Sequence, residues 1–377
     1  MSPSADGANL YLAAMGREEM TPAAAWQAFV EGLRTAGERL DQLTQGLDDE
    51  ARADGYRALV RGLNNQLGRF EVDRERPELV AFNGWREKMF MDNPDFRYWV
   101  ADVRDDRAYR ITGSIGDAVY LSVTAYSAAG GLEAAATARL DSDSIRLDGD
   151  GRFQLTASSR RPDAEGDWLE LPEGATTIWV RQFHQDAATD TPGTCAIEPL
   201  DGPSPPPSID VDRFSRHLAR LGRGVSAFPA IFEASVHHDL EHPNQVRHWD
   251  EMVGGAAFTE PDIRYVRGAW QLRPGESLVL EGEVPPCRYW NLLLYGRFLN
   301  SLDHRSRRVS LTGGTAQLED GRYRVTLAEQ DPRDGSDWLD TEGRPFGLFV
   351  FRFLQPEHEP VLPTAQLRPG PTAAAPA

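Results

Sequence analysis

Apolar residues recur at helical spacing over the first ninety positions of the chain and at strand spacing after them. Behind Thr21-Pro22, a cap followed by proline at the first helical position, Trp26, Phe29, Leu33, Leu40 and Leu43 share one side of a helix. A second stripe runs through Tyr56, Leu59, Val60, Leu63, Leu67 and Phe70. One apolar face per helix implies that both dock onto something larger. From Asn93 the period shortens to that of strands. YRITGSIGDAVYLSVTAYSA (109–128), GRFQLTAS (151–158) and TTIWVRQF (176–183) are β-rich runs punctuated by Gly, Pro and Asp. DGPSPPPS (201–208) has no apolar period and reads as a linker. A helix then presents Val211, Phe214, Leu218 and Leu221, strands resume near 263, and the tail ending RPGPTAAAPA is expected to be disordered. The segments expected are a helical part (1–92), a β part (93–200), a Pro-rich linker with helices (201–252), a second β part (253–360) and a tail (361–377).

The two β parts are copies of each other. At an offset of about 170 residues Asp150-Gly151-Arg152-Phe153 lies over Asp320-Gly321-Arg322-Tyr323. Without a gap Thr156 meets Thr326, Pro162 meets Pro332, and Asp167-Trp168-Leu169 meets Asp337-Trp338-Leu339. The same offset sets Val119-Tyr120 on Tyr289-Trp290, and Pro94-Asp95-Phe96-Arg97-Tyr98 matches Pro261-Asp262-Ile263-Arg264-Tyr265 after a short insertion. Order, spacing and residue type agree over some ninety positions, which marks a duplicated unit. Several short strands per copy without βαβ alternation predict a mainly β protein with flanking helices: two antiparallel, jelly-roll-like β-sandwiches. One inserted residue near Arg344 sets Arg181 on Arg352, giving the last strand of each copy a shared arginine.

Composition narrows the function. The 377 residues carry a net charge of −18, which repels nucleic-acid backbones and anionic lipid. No apolar run is long enough to span a bilayer, the first residues lack a secretory pattern, and two distant cysteines, Cys195 and Cys287, suit a reducing compartment. A cytoplasmic protein without membrane insertion is expected. The chain has no G-x-S-x-G elbow, P-loop, dinucleotide fingerprint or C-x-x-C, so no organic cofactor is expected. His237, His238 and His242 cluster in HHDLEH, but Pro243 disfavours helical geometry at His242, and surface histidines are preferred to a metal site.

The repeat also acts as a filter: residues common to both copies serve the fold, and polar residues found in one copy are candidates for chemistry. Asp167 and Asp337 are then turn residues, bonded to backbone N–H groups above a packed indole. Arg181 and Arg352 are expected to pair with carboxylates or carbonyls within each sandwich. Asn291, set against Leu121 in the first copy, passes the filter, and Tyr295, Arg297, Asn300, Asp303 and Arg305 continue a polar run. Asn291, Tyr295, Arg297 and Asp303 are the candidate catalytic groups; Trp85, Tyr98, Trp290, Asn300 and Arg305 are candidate ligand contacts. A solvated loop with salt bridges is the plain alternative for the run. Asp331 and Asp340 are weaker members of the set.

YWNLLLYGRFLNSL (289–302), DGRYRVTLAEQDP (320–332) and DWLDTEGRPFGLFVFRFLQP (337–356) resemble the domain of unknown function 1214. The resemblance rests on Trp290, Tyr295, Asp320-Gly321, Trp338-Leu339, Pro345-Phe346 and Arg352-Phe353. Two positions depart from it: Asp340 stands where proline is common, and Gln330 where a histidine often precedes Asp-Pro. The resemblance implies a β-sandwich beside helices and a context of lipid, sterol or aromatic breakdown. The expectation is a cofactor-independent catabolic or enzyme-like protein that holds a hydrophobic small molecule between two sandwiches, and that can assemble as a homo-oligomer. The alternative is a non-catalytic module binding carbohydrate, lipid or protein.

Overall fold

The computed structural model describes residues 20–128, 134–202, 205, 208–249 and 260–369. Residues 1–19, half of the Pro-rich run and the end of the expected tail (370–377) lie outside them.

Two helices come first among the described residues, α1 (Pro22–Leu43) and α2 (Asp49–Leu67). Thr21 and Asp48 cap them by accepting the N–H groups of Ala24 and Ala51. Their buried faces share Phe29, Leu40 and Leu59 with the predicted stripes and are otherwise rotated from them. Ala25, Phe29, Gly32, Ala36 and Leu40 point inward from α1, and Gly55, Ala58, Leu59, Gly62 and Asn65 from α2. Trp26 and Val60 stay more than half exposed. Close helix packing is the reason. A Cβ on Gly32 would stand 2.2 Å from the carbonyl oxygen of Gly222 in α3 (Val211–Ser226). Small residues therefore define the contact, and larger apolar ones are rotated outward. A fourth helix, α4 (Phe228–Glu241), is tied to the second β half by Arg267, whose guanidinium lies 2.6 Å from Asp239 and donates to the Ser235 carbonyl.

Each half is two sheets. In the first, the inner sheet runs β1 (Val80–Ala81), β2 (Phe96–Asp102), β8 (Ala175–Phe183), β4 (Tyr120–Ala128), β5 (Ala134–Asp141). Its outer sheet runs β7 (Asp167–Glu170), β6 (Arg152–Ser158), β3 (Tyr109–Gly116), β9 (Pro192–Pro199). The second half repeats this order. Its inner sheet is β10 (Val246–His248), β11 (Ile263–Gln271), β17 (Phe346–Leu354), β13 (Tyr289–Tyr295), β14 (Ser310–Thr312). The outer sheet is β16 (Asp337–Asp340), β15 (Arg322–Ala328), β12 (Glu276–Glu283), β18 (Thr364–Pro369). Two expectations change. The pairing is antiparallel except at one edge of each outer sheet, where β6–β7 and β15–β16 run parallel. The stretch 364–369 is a strand paired with β12 rather than the start of a disordered tail.

Ile111, Leu155, Leu169, Ile178 and Val180 from both sheets fill the first sandwich. Side chains alternate along a strand, so Trp179, Arg181 and Phe183 of β8 point out of that core. They meet a second layer: the two inner sheets pack face to face. Their contact buries Phe96, Tyr120 and Phe183 against Ile263, Tyr289 and Leu354, three matched pairs from the two copies. β8 and β17 are thus covered on both faces, which explains their long runs of buried residues.

Pairing fixes the true register of the repeat. Phe96 and Tyr120 both oppose Phe183, as Ile263 and Tyr289 oppose Leu354. Arg181 therefore matches Arg352, as the inserted alignment predicts. In β4 and β13, however, the gapless offset is one residue out. Asn291 matches Ser122 rather than Leu121, and Tyr295 matches Tyr126. A one-residue slip reverses the face of every side chain, so the polar run is less unique to one copy than its sequence implies.

Candidate functional site

A cavity of about 40 Å³ opens where the inner sheets meet. Its walls include Phe96, Tyr98 and Arg181 from the first half and their counterparts Ile263, Tyr265 and Arg352 from the second. The strand-poor segment between α2 and β2 closes it with Phe82, Met89, Phe90 and Met91, and Glu260 completes it. Positive φ at Phe90 and Met91 turns this segment over the cavity.

Two arginines face the same space with different partners. Arg181 donates to the Tyr126 hydroxyl at 3.0 Å and to Glu260 at 3.1 Å. Glu260 belongs to the second half, so the expected pairing within one sandwich is instead a bridge between the two. Its carboxylate also accepts from Ser122 Oγ (2.9 Å), Tyr120 (3.3 Å) and Arg139 (3.4 Å). Burial raises the Glu260 carboxyl above the usual carboxylate range, opposed by these neighbours.

Arg352 is equally buried and donates to the Tyr295 hydroxyl at 2.7 Å. Among the described residues no carboxylate oxygen comes within 4.0 Å of it, and its Nη1 has no hydrogen-bond partner. The residue matching Glu260 is Asn93, as the shared backbone bonds show: His184 N–H donates to the Asp95 carbonyl, and Gln355 N–H to that of Asp262. Asn93 reaches Asn291 (3.3 Å) just as Glu260 reaches Ser122. An amide thus stands where the other half has a carboxylate. Around it four buried polar atoms lack partners: Asn93 Nδ2, Asn291 Oδ1, the Tyr289 hydroxyl and Arg352 Nη1. Asp95 is bonded to Asn291 (2.9 Å) and Ser310 (3.2 Å) rather than to Arg352. The phenols of Tyr98, Tyr265 and Tyr295 are pushed up by burial, Tyr265 to about 12, and remain protonated donors.

The sequence candidates fall in four places. Tyr98 lines the cavity, Tyr295 holds Arg352, and Asn291 sits beside them on β13. Trp290 projects from the opposite face of β13 into the second sandwich, stacked on Tyr323 at 5.9 Å. Arg297 lies apart, in a groove with Leu43, Phe232, Val236 and Leu240. Trp85, Asn300, Asp303 and Arg305 meet elsewhere, around an indole ringed by cations: Arg305 at 4.3 Å, Lys88 at 4.7 Å and Arg61 at 5.0 Å. There the buried Lys88 ammonium donates to the Ser301 carbonyl and hydroxyl (both 2.7 Å) and the Leu302 carbonyl (3.2 Å). Burial lowers Lys88 to about 8. With room for about one water, this cluster pins the 296–305 loop to the segment before β2. Asp303 caps the Arg305 N–H, Asp331 caps that of Arg333, and Asp340 pairs with Arg307 (2.6 Å).

Sequence reasoning missed Arg352, Glu260 and Asn93 as site residues. The signal was present in the repeat, since Glu-Pro-Asp and Asn-Pro-Asp precede matching strands. The doubled Asp-Trp-Leu is structural: Asp167 accepts the Arg146 N–H and Asp337 the Gln317 N–H, each at 2.7 Å, from a neighbouring loop rather than from its own turn. The His238 and His242 rings lie 4.7 Å apart, but no group of three or more metal-ligating side chains occurs among the described residues. No described helix is long and apolar enough to cross a membrane.

The fold and cavity define a class: a duplicated two-sheet β protein whose halves face each other across a buried polar pocket. The family described as "Protein of unknown function (DUF1214)" matches over 100–186 and again over 270–358, so the chain carries this domain twice, once in each half. The crystal structure of an uncharacterized protein from Burkholderia cenocepacia is similar at a TM-score of 0.84 and 26% identity, covering 92% of this chain and 97% of that one. The VPA0106 protein from Vibrio parahaemolyticus is 12% identical at a TM-score of 0.48, covering 91% and 98%. No curated protein matches the chain.

Proposed function

We propose that this protein binds a compact small molecule in the cavity between its two inner sheets. The observation that carries this reading is that matched residues of both halves converge there, while the 82–91 segment supplies apolar walls that neither sandwich provides. Pockets with apolar walls and a few convergent polar groups are the usual form of ligand sites. A cavity of about 40 Å³ holds about three waters, which favours a small ligand, or the head of a larger one, over an enclosed sterol. Proton transfer in the pocket would fall to Glu260, the one carboxylate on its described walls. A catabolic, cofactor-independent role fits that chemistry, with Tyr98 and Tyr265 as hydrogen-bond donors.

The rival reading, a carbohydrate-binding sheet surface, needs aromatics displayed on a flat face. Among the described residues the exposed aromatics are Trp26, Tyr56 and Phe214, all on helices. Thermal-shift screening of aromatic, fatty, steroidal and sugar compounds tests the proposal. Compounds that stabilise the native protein should fail to stabilise Met89→Trp, which fills the cavity. Equal shifts in both proteins would place binding elsewhere and sink the reading.

A further inference from the structure

We infer that the ligand bears a carboxylate, and that this carboxylate docks on Arg352 in the position Glu260 holds on Arg181. The inference rests on the small-molecule reading above and specifies the chemistry of its ligand. The molecule contains its own template. In the first half one carboxylate satisfies Arg181, Ser122 Oγ and the Tyr120 hydroxyl together. In the second half the matching groups are Arg352, Asn291 and Tyr289. Arg352 Nη1 and the Tyr289 hydroxyl are both buried and without partners, as is the Nδ2 donor of Asn93. Three unpaired donors of one neighbourhood, one of them cationic, call for an acceptor carrying negative charge. Leaving a buried guanidinium without a countercharge is costly, and a planar carboxylate is the group that guanidinium geometry fits.

Size and surroundings point the same way. Arg352 lines the cavity, whose room for about three waters matches the three heavy atoms of a carboxylate. A ligand larger than the carboxylate itself needs Phe82, Met89 or Phe90, which line the same cavity, to move aside. Asp95 is near enough for the Arg352 charge to act on its carboxylate, but neither of its oxygens, bonded to Asn291 and Ser310, comes within 4.0 Å of the guanidinium. The two equivalent positions differ in this one group: with Asn93 in place of a glutamate the internal carboxylate is absent and the groups that would bind it remain.

The test is calorimetric titration of the full-length protein with benzoate, hexanoate and inorganic phosphate, alongside benzamide and hexanamide. Benzoate or hexanoate should bind at least tenfold more tightly than its amide, with phosphate weaker than either. Asn93→Glu restores the template carboxylate and should weaken carboxylate binding at least tenfold while the protein stays folded. Tyr289→Phe removes one donor and should weaken it severalfold. Carboxylate binding unchanged in Asn93→Glu would overturn the inference. If amides bind as well as acids and Met89→Trp abolishes both, the inference fails and the small-molecule reading stands. If no probe binds in a way that Met89→Trp removes, both fail.

Discussion

Arg181 and Arg352 stand at matching positions on β8 and β17, each beside a tyrosine of the neighbouring strand, yet only Arg181 meets a carboxylate. The first site is complete: every group that Glu260 can satisfy is satisfied. The second keeps the same geometry with an amide in place of the acid. Duplication thus yields one site closed by the chain itself and one left open, whose arginine lines a cavity. Function in a repeated fold is read most clearly where two copies share a scaffold and differ in a single charge.

The largest expected effect separates the two arginines directly. Arg181→Met strands Glu260 and should destabilise the protein by about 3–5 kcal/mol. Arg352→Met removes a cation that no described carboxylate contacts and should cost about 1 kcal/mol or less. Denaturant unfolding measures both, and equal losses would erase the distinction. The tyrosines sharpen it. Tyr295 is the hydrogen-bonded partner of Arg352, so Tyr295→Phe should cost about 2 kcal/mol, whereas Tyr126→Phe, with Glu260 still on Arg181, should cost about 1 kcal/mol. Smallest is the effect at the doubled Asp-Trp-Leu. Asp337, fully buried against Arg308, should lose about 1–2 kcal/mol as asparagine, and Asp167, paired with a largely exposed Arg146, under about 1 kcal/mol. Neither substitution should alter ligand binding, because both aspartates lie on outer sheets; a binding defect would show that the repeat filter discards functional residues.

Much of the fold was legible in the chain. Two β halves, their helical flank and the pairing of Arg181 with Arg352 all follow from repeated motifs. Helix faces were less legible, because Gly32 and Gly222 bring α1 and α3 so close that Ala25, Gly32 and Ala36 join Phe29 and Leu40 on the buried face while Trp26 turns outward. Register in β13 was lost for a related reason. YWNLLLY is buried on both faces and has no alternation to fix it, so Asn291 was set on Leu121 instead of Ser122. That slip made Tyr295 seem unique when Tyr126 is its twin. The site itself was only half visible: Tyr98, Tyr295 and Asn291 belong to it, but Arg352 was read as structural because both copies share it. What sets it apart is the change from Glu260 to Asn93, three residues before the strands and in the other half, where no local pattern points to it.

The central claim is that Arg352 takes its countercharge from a bound molecule. A crystal structure of the full-length protein soaked in benzoate tests it most directly. The expected result is a carboxylate within hydrogen-bonding distance of Arg352 Nη1, with Phe82, Met89 or Phe90 displaced by the ring. A cavity holding only water, with Arg352 solvated and benzoate absent or bound elsewhere, would contradict it.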